Sequence, residues 1–61
     1  MYKKFDELLK KKGVTAYQVS KDTGISNSTL SDWKAGRSEP KLDKLQKLAA
    51  YFGVEVTYFL E

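Results

Sequence analysis

Asn27, Ser28, Ser31 and Asp32 are short, forked or hydroxylic side chains set one, four and five positions apart. At about 100° per residue, one side of an α-helix would collect all four. These residue types are weak helix formers, because their side chains compete with the backbone for hydrogen bonds. They are well suited to bonding something outside the helix. Two carry hydroxyls that both donate and accept, one an amide that does both at fixed positions, and one a carboxylate that only accepts. That inventory fits recognition by hydrogen bonding, of the kind that reads base edges in DNA. It does not fit bond-making chemistry. The 61 residues contain neither cysteine nor histidine, which excludes disulfides, thiolate or imidazole metal sites and Cys/His catalysis. The acidic residues read as solvated helix surface, with no pair placed for acid–base work, so no catalytic residue, metal or cofactor is expected. No small-molecule substrate suggests itself.

Something must hold that face outward, and the neighbouring sequence predicts two short helices joined by a tight turn. Thr15 and Ser26 are hydroxyl residues placed to cap the two helices, each accepting a bond from an amide that would otherwise be unpaired. Gly24 lies between them and can take the positive φ that ends a helix abruptly. Leu30 and Trp33 then turn inward from the second of these helices, and the angular position of Thr29 makes it a lining residue at the edge of the core. The first of the pair, Ala16 to about Thr23, has a small-residue inner face of Ala16, Val19, Ser20 and Thr23, with Ser20 expected to bond back to the Ala16 carbonyl.

The remainder also predicts helix. Phe5, Leu8 and Leu9 form an i, i+3, i+4 stripe on a helix from about Tyr2 to Lys12, stopped by Gly13. After Gly36 the run RSEP forms a loop, with Pro40 favouring extended geometry at Glu39. A fourth helix follows, with Leu42, Leu45, Leu48, Ala49 and Phe52 expected on one face and Gly53 at its end. Val54, Val56, Phe59 and Leu60 suggest a short fifth helix folded back onto the core, although VEVTYF also shows a brief strand-like alternation. Trp33, Phe5, Phe52 and Phe59 fall at core spacing, and packing is the expected role for them. The expectation is a single all-α domain over residues 1–61, small enough to be only marginally able to bury a core.

Charge is distributed around the polar face and not on it. The chain carries 11 Lys and Arg against 8 Asp and Glu, a net +3. Residues 1–14 have five lysines against Asp6 and Glu7, and residues 37–47 have Arg37, Lys41, Lys44 and Lys47 against Glu39 and Asp43. Residues 15–36 are neutral, and the tail from 48 carries only Glu55 and Glu61. A neutral reading element between basic flanks matches phosphate contacts on either side of a base-reading helix. No apolar run approaches a membrane span, and the N-terminus lacks the apolar centre of a signal peptide, which leads to a cytoplasmic expectation.

Taken in order, GVT at 13–15, the turn Gly24-Ile25-Ser26, STLSDWKAGRSEP at 28–40, LDKLQKLAAYFGV at 42–54 and the closing VEVTYFL resemble the lambda-repressor-like, Cro/C1-type (XRE) helix-turn-helix domains. The resemblance covers almost the whole chain. It implies a compact five-helix domain whose helices two and three form the helix-turn-helix. The second lies across the phosphate backbone and the third enters the major groove of an operator, usually as a dimer that controls transcription. Carried onto this sequence, the base-reading positions are Asn27, Ser28 and Asp32, with Ser26 and Ser31 beside them. Asn27 suits an adenine edge and Asp32 a cytosine amino group. Phosphate contacts are expected from Thr15, Tyr17, Gln18, Arg37, Lys41 and Lys44.

The chain departs from the family pattern at several positions. Ala16 stands where many relatives have a phosphate-touching glutamine, which leaves Tyr17, Gln18 or the helix amides to supply that contact. Lys41 stands where Ser or Thr often caps helix four, predicting a weaker cap partly offset by Asp43. Leu9 and Lys34 replace an arginine–glutamate pair, predicting a more apolar junction between helices one and three. A dimer contact would come from the end of the chain, where Val56, Tyr58 and Phe59 are the candidates and Phe59 leans toward the core. Two functional classes share this fold. One is a transcriptional regulator, as a small Cro-like protein or the N-terminal domain of a longer repressor. The other is an antitoxin or similar partner-binding module.

Overall fold

The left-handed glycines and the hydroxyl caps set where the helices break. The computed structural model describes residues 2–60, in which α1 (Tyr2–Lys12), α2 (Ala16–Thr23), α3 (Asn27–Ala35) and α4 (Leu42–Phe52) are followed by a 3₁₀ turn at Val56–Leu60. Thr15 caps α2 and Ser26 caps α3, each side chain accepting from the amide three residues on, Gln18 N–H and Thr29 N–H. Gly24, with φ at 79°, ends α2 through a single bond from its N–H to the Ser20 carbonyl.

The three-residue turn between α2 and α3 is held by side chains as well as by backbone. Thr23 Oγ1 donates to the Val19 carbonyl (2.7 Å) and accepts from Ile25 N–H (3.3 Å). The Ser20 hydroxyl donates forward to the Ile25 carbonyl at 2.6 Å, not back to Ala16 as the sequence suggested. The turn offers a bare carbonyl within reach, whereas Ala16 O already serves the helix ladder. Ile25 itself is buried between the helices at 1% exposure.

The core is one cluster built from every element: Phe5, Leu8 and Leu9 from α1, Val19 from α2, Ile25, then Leu30 and Trp33 from α3, Leu45, Leu48 and Ala49 from α4, and Phe59. Aromatic rings make up its centre. Phe5 meets Trp33 at 5.1 Å between centroids and Phe52 at 5.9 Å, while Trp33 also takes the edges of Tyr2 and Phe59. These tilted and edge-on contacts are the favoured geometries for ring quadrupoles. They also make the α1–α3 junction apolar, as the loss of the arginine–glutamate pair predicts, with Leu9 buried and Lys34 exposed. Burial pushes the Tyr2 hydroxyl pKa up, and the nearby Asp6 carboxylate adds to the shift.

The expected short fifth helix is present and is wound as a 3₁₀ helix, in which Tyr58 N–H reaches back three residues to the Glu55 carbonyl. Five residues are too few to make an α-helical ladder worthwhile, and the tighter winding still buries Phe59. No strand occurs among the described residues. Leu42 leaves the apolar face of α4 and is 56% exposed, because it starts the helix, before the core has begun beneath it.

Candidate nucleic-acid interface

α3 separates its residues cleanly. Leu30 and Trp33 are buried, while Asn27, Ser28 and Ser31 are exposed. Among the described residues, none of those three side chains forms an internal hydrogen bond. A helix surface of this kind has nothing intramolecular to do, and its donors and acceptors are available to a partner. Thr29 is half-buried at the core edge, where its angular position puts it.

Two of the five candidate base readers are committed elsewhere. Ser26 is exposed, but its Oγ accepts from Thr29 N–H (3.2 Å) and pairs with Thr29 Oγ1 (2.8 Å), so its hydroxyl serves the helix start. Asp32 is half-buried, and its Oδ1 accepts from both Nε (3.0 Å) and Nη2 (2.8 Å) of Arg37. This pair joins a candidate base reader to a candidate phosphate contact, and sequence reasoning missed it. The spacing held the signal, since a helix that ends in glycine sets the residue after that glycine beside the residue four before it.

The N-terminal end of α2 offers a second group. Thr15 Oγ1 is taken by the Gln18 amide (3.1 Å), and Gln18 Nε2 donates to Asp22 Oδ1 (2.9 Å). Tyr17 projects with 66% of its surface exposed. Asp22 also accepts from the Tyr51 hydroxyl of α4 through Oδ2 (2.8 Å), and the Lys12 ammonium lies 5.2 Å from the Tyr51 ring. The hydrogen bond from Gln18 and then that from Tyr51 hold the Asp22 carboxyl below its usual range. The same carboxylate raises the Tyr51 hydroxyl. The network ties the last turns of α1 and α4 to α2, and so fixes the position of α2.

Lys41 is exposed at the start of α4, in extended geometry and with no side-chain cap bond, as the sequence predicts. Lys44 follows half-buried on the first turn. Pro40 is buried just before them and anchors the loop.

The structure does not keep the three dimer candidates together as one surface. Phe59 is 1% exposed and belongs to the core, so it offers nothing to a second copy. Val56 is half-buried. Tyr58 is half-buried beneath the Lys4 ammonium, 5.0 Å from its ring. Leu60, which sequence reasoning did not single out for contact, is 56% exposed.

Among the described residues, no cluster of acidic side chains could hold a metal ion, and no helix is long and apolar enough to cross a membrane. A family model described as helix-turn-helix matches residues 6–59. No curated protein and no solved structure matches the chain.

Proposed function

Since the chain belongs to the Cro/C1-type (XRE) helix-turn-helix family of DNA-binding regulators, we propose that it is a sequence-specific transcriptional regulator that inserts α3 into the major groove of an operator. The observation that carries this reading is the outer face of α3. Asn27, Ser28 and Ser31 are exposed there without internal partners, on a helix seated by Leu30 and Trp33. Asn27 is the principal reader, with a carboxamide that complements the donor and acceptor of an adenine edge. Ser28 and Ser31 add hydroxyl contacts that discriminate less.

Lys41, Lys44 and Tyr17, together with the exposed N-terminal turn of α2, contact phosphates on either side. Thr15 and Gln18 hold that turn in place through the cap and through Asp22. A single short helix reads only a few base pairs, too few to select one site among a genome's competitors. Two copies on half-sites about one helical turn apart supply the missing information. Val56, Tyr58 and Leu60 are the residues from which such a dimer contact is drawn, and a patch this small gives weak association off DNA.

Selection of bound duplexes from a random pool, followed by footprinting, tests the proposal. The expected result is an enriched site with dyad symmetry, protected in the major groove and bound with steep salt dependence. A pool that stays random after selection would overturn sequence-specific binding, and an enriched site without dyad symmetry would overturn the dimer.

A further inference from the structure

Where α3 ends, Asp32 and Arg37 are joined twice over. The backbone closes around Gly36, at φ 77°, with Gly36 N–H donating to the Trp33 carbonyl (3.1 Å) and Arg37 N–H to the Asp32 carbonyl (2.9 Å). This arrangement sets the side chains of the residue after the glycine and the residue on the helix's last turn next to each other, and an apolar contact usually fills that place. Here an ion pair fills it, with both guanidinium bonds converging on Oδ1 of Asp32. Because the backbone has already brought the two residues together, little further ordering is needed to form the pair. Asp32 Oδ2 forms no hydrogen bond among the described residues.

Two consequences follow for a surface that approaches DNA. A bare carboxylate would be repelled by the phosphates, and the guanidinium cancels that charge at contact distance. A loose carboxylate also presents about four lone-pair sites in shifting directions. With Oδ1 saturated and the side chain held, Asp32 presents one acceptor in one place. The major groove offers two amino donors. The adenine N6 amino group lies beside the N7 acceptor of the same base, which repels an anion, whereas the cytosine N4 amino group has no acceptor beside it on its own base.

Resting on the DNA-binding reading above, we infer that Arg37 is a positioning residue and not a phosphate contact: it fixes Asp32 as a one-acceptor reader of a cytosine amino group, so that the pair specifies a C·G base pair. Arg37 thereby gains a part in specificity without touching the base that is read.

The test compares the parent with Asp32→Asn, Arg37→Met and Arg37→Lys. All three changes lie on exposed or half-exposed side chains, and thermal melts by circular dichroism check that the fold is kept. Each chain selects from a random duplex pool and is then titrated with salt on a random-sequence duplex. The expected result is a C·G preference at one position for the parent, reduced about tenfold or more by both Asp32→Asn and Arg37→Met at that same position only. Arg37→Lys keeps the charge but lacks the fork, and recovers part of the preference. Asp32→Asn frees a cation for a phosphate and steepens the salt slope by about 0.9, whereas Arg37→Met leaves the slope of the chain that retains Asp32 in place.

A parent that binds no duplex at low salt removes the DNA-binding reading and this inference with it. A parent that selects a site, with an Arg37→Met variant that selects the same site more weakly and with a slope shallower by about 0.9, overturns this inference alone and makes Arg37 a phosphate contact. A selected site with no C·G preference traceable to Asp32 overturns it equally.

Discussion

The two connections that flank α3 are built on different principles. The one before it, Gly24-Ile25-Ser26, is buried at Ile25 and crossed by hydroxyl bonds from Ser20, Thr23 and Ser26. The one after it, from Arg37 to Lys41, is exposed except at Pro40. It is held by an ion pair at one end and leads into a helix whose cap makes no side-chain bond. The first connection fixes the angle between two helices, and an error there would misplace every residue that α3 presents. The second orients Asp32 at its start through Arg37. At its exit, on the proposed reading, it has only to bring a cation near phosphate, so there it can trade a cap for a lysine. Hydroxyl bonds are concentrated in the first connection, and charge in the second.

The contrast is most severely tested by Ile25→Ala. Emptying this buried position in the turn is expected to cost about 2–5 kcal/mol of stability, large for a domain of this size, and to abolish selective binding before nonselective binding as denaturant is added. Chemical denaturation followed by a binding titration measures both. Asn27→Ala comes next. It should leave the melt unchanged, because the side chain is exposed and forms no hydrogen bond among the described residues. It should also cost about 1–3 kcal/mol on the selected site and relax preference at one base pair. If preference survives, the face assigned to α3 is wrong.

Lys41→Ser sharpens the comparison, because its two effects oppose each other. A serine at this N-cap, accepting from the amide of Lys44, should raise stability by about 1 kcal/mol. Loss of the cation should weaken binding to all sequences alike and reduce the salt slope by about 0.9. A variant that gained stability and lost no affinity would mean that the second connection does not meet phosphate.

The smallest effect concerns Tyr51→Phe. Asp22 has a lowered carboxyl pKa in the folded chain, so its contribution to stability is complete above the ordinary carboxylate pKa. That contribution is lost as pH falls through the lowered folded value. Removing the Tyr51 hydroxyl takes away one of the two bonds that lower it. The variant should therefore lose less stability between neutral and acidic pH than the parent, in melts recorded across that range. An unchanged acid limb would show that Gln18 alone holds the carboxylate.

The helices were legible in the sequence because their ends are marked by residue types with few other uses. Thr15, Ser26, Gly24 and Gly53 do locally what their chemistry demands, and the apolar stripes of α1 and α4 leave little choice of inner face. The outer face of α3 was legible for the complementary reason, since Asn27, Ser28 and Ser31 had no structural purpose there. What escaped were bonds between residues distant in sequence or oriented by a turn. Tyr51 and Asp22 are 29 positions apart, and nothing in the sequence pattern connects them. The Ser20 hydroxyl had two carbonyls to choose between, and the geometry of the turn decided. Arg37 read as one cation among several, because its orientation depends on the left-handed backbone at Gly36. Phe59 looked divisible between core and contact until the 3₁₀ winding turned it wholly inward.

The division of α3 into a buried and an unengaged side also bears on how such a chain could diverge. Leu30 and Trp33 are held by neighbours from the rest of the fold, so changes there are constrained by folding. Asn27, Ser28 and Ser31 answer to no internal neighbour, and substitutions among polar residues at those three positions are nearly invisible to the folding equilibrium. Descendants of one ancestral domain could therefore wander through many target sequences along a path of nearly constant stability. Asp32 and Arg37 would be the exception, because a change at either one leaves the other's charge without its partner.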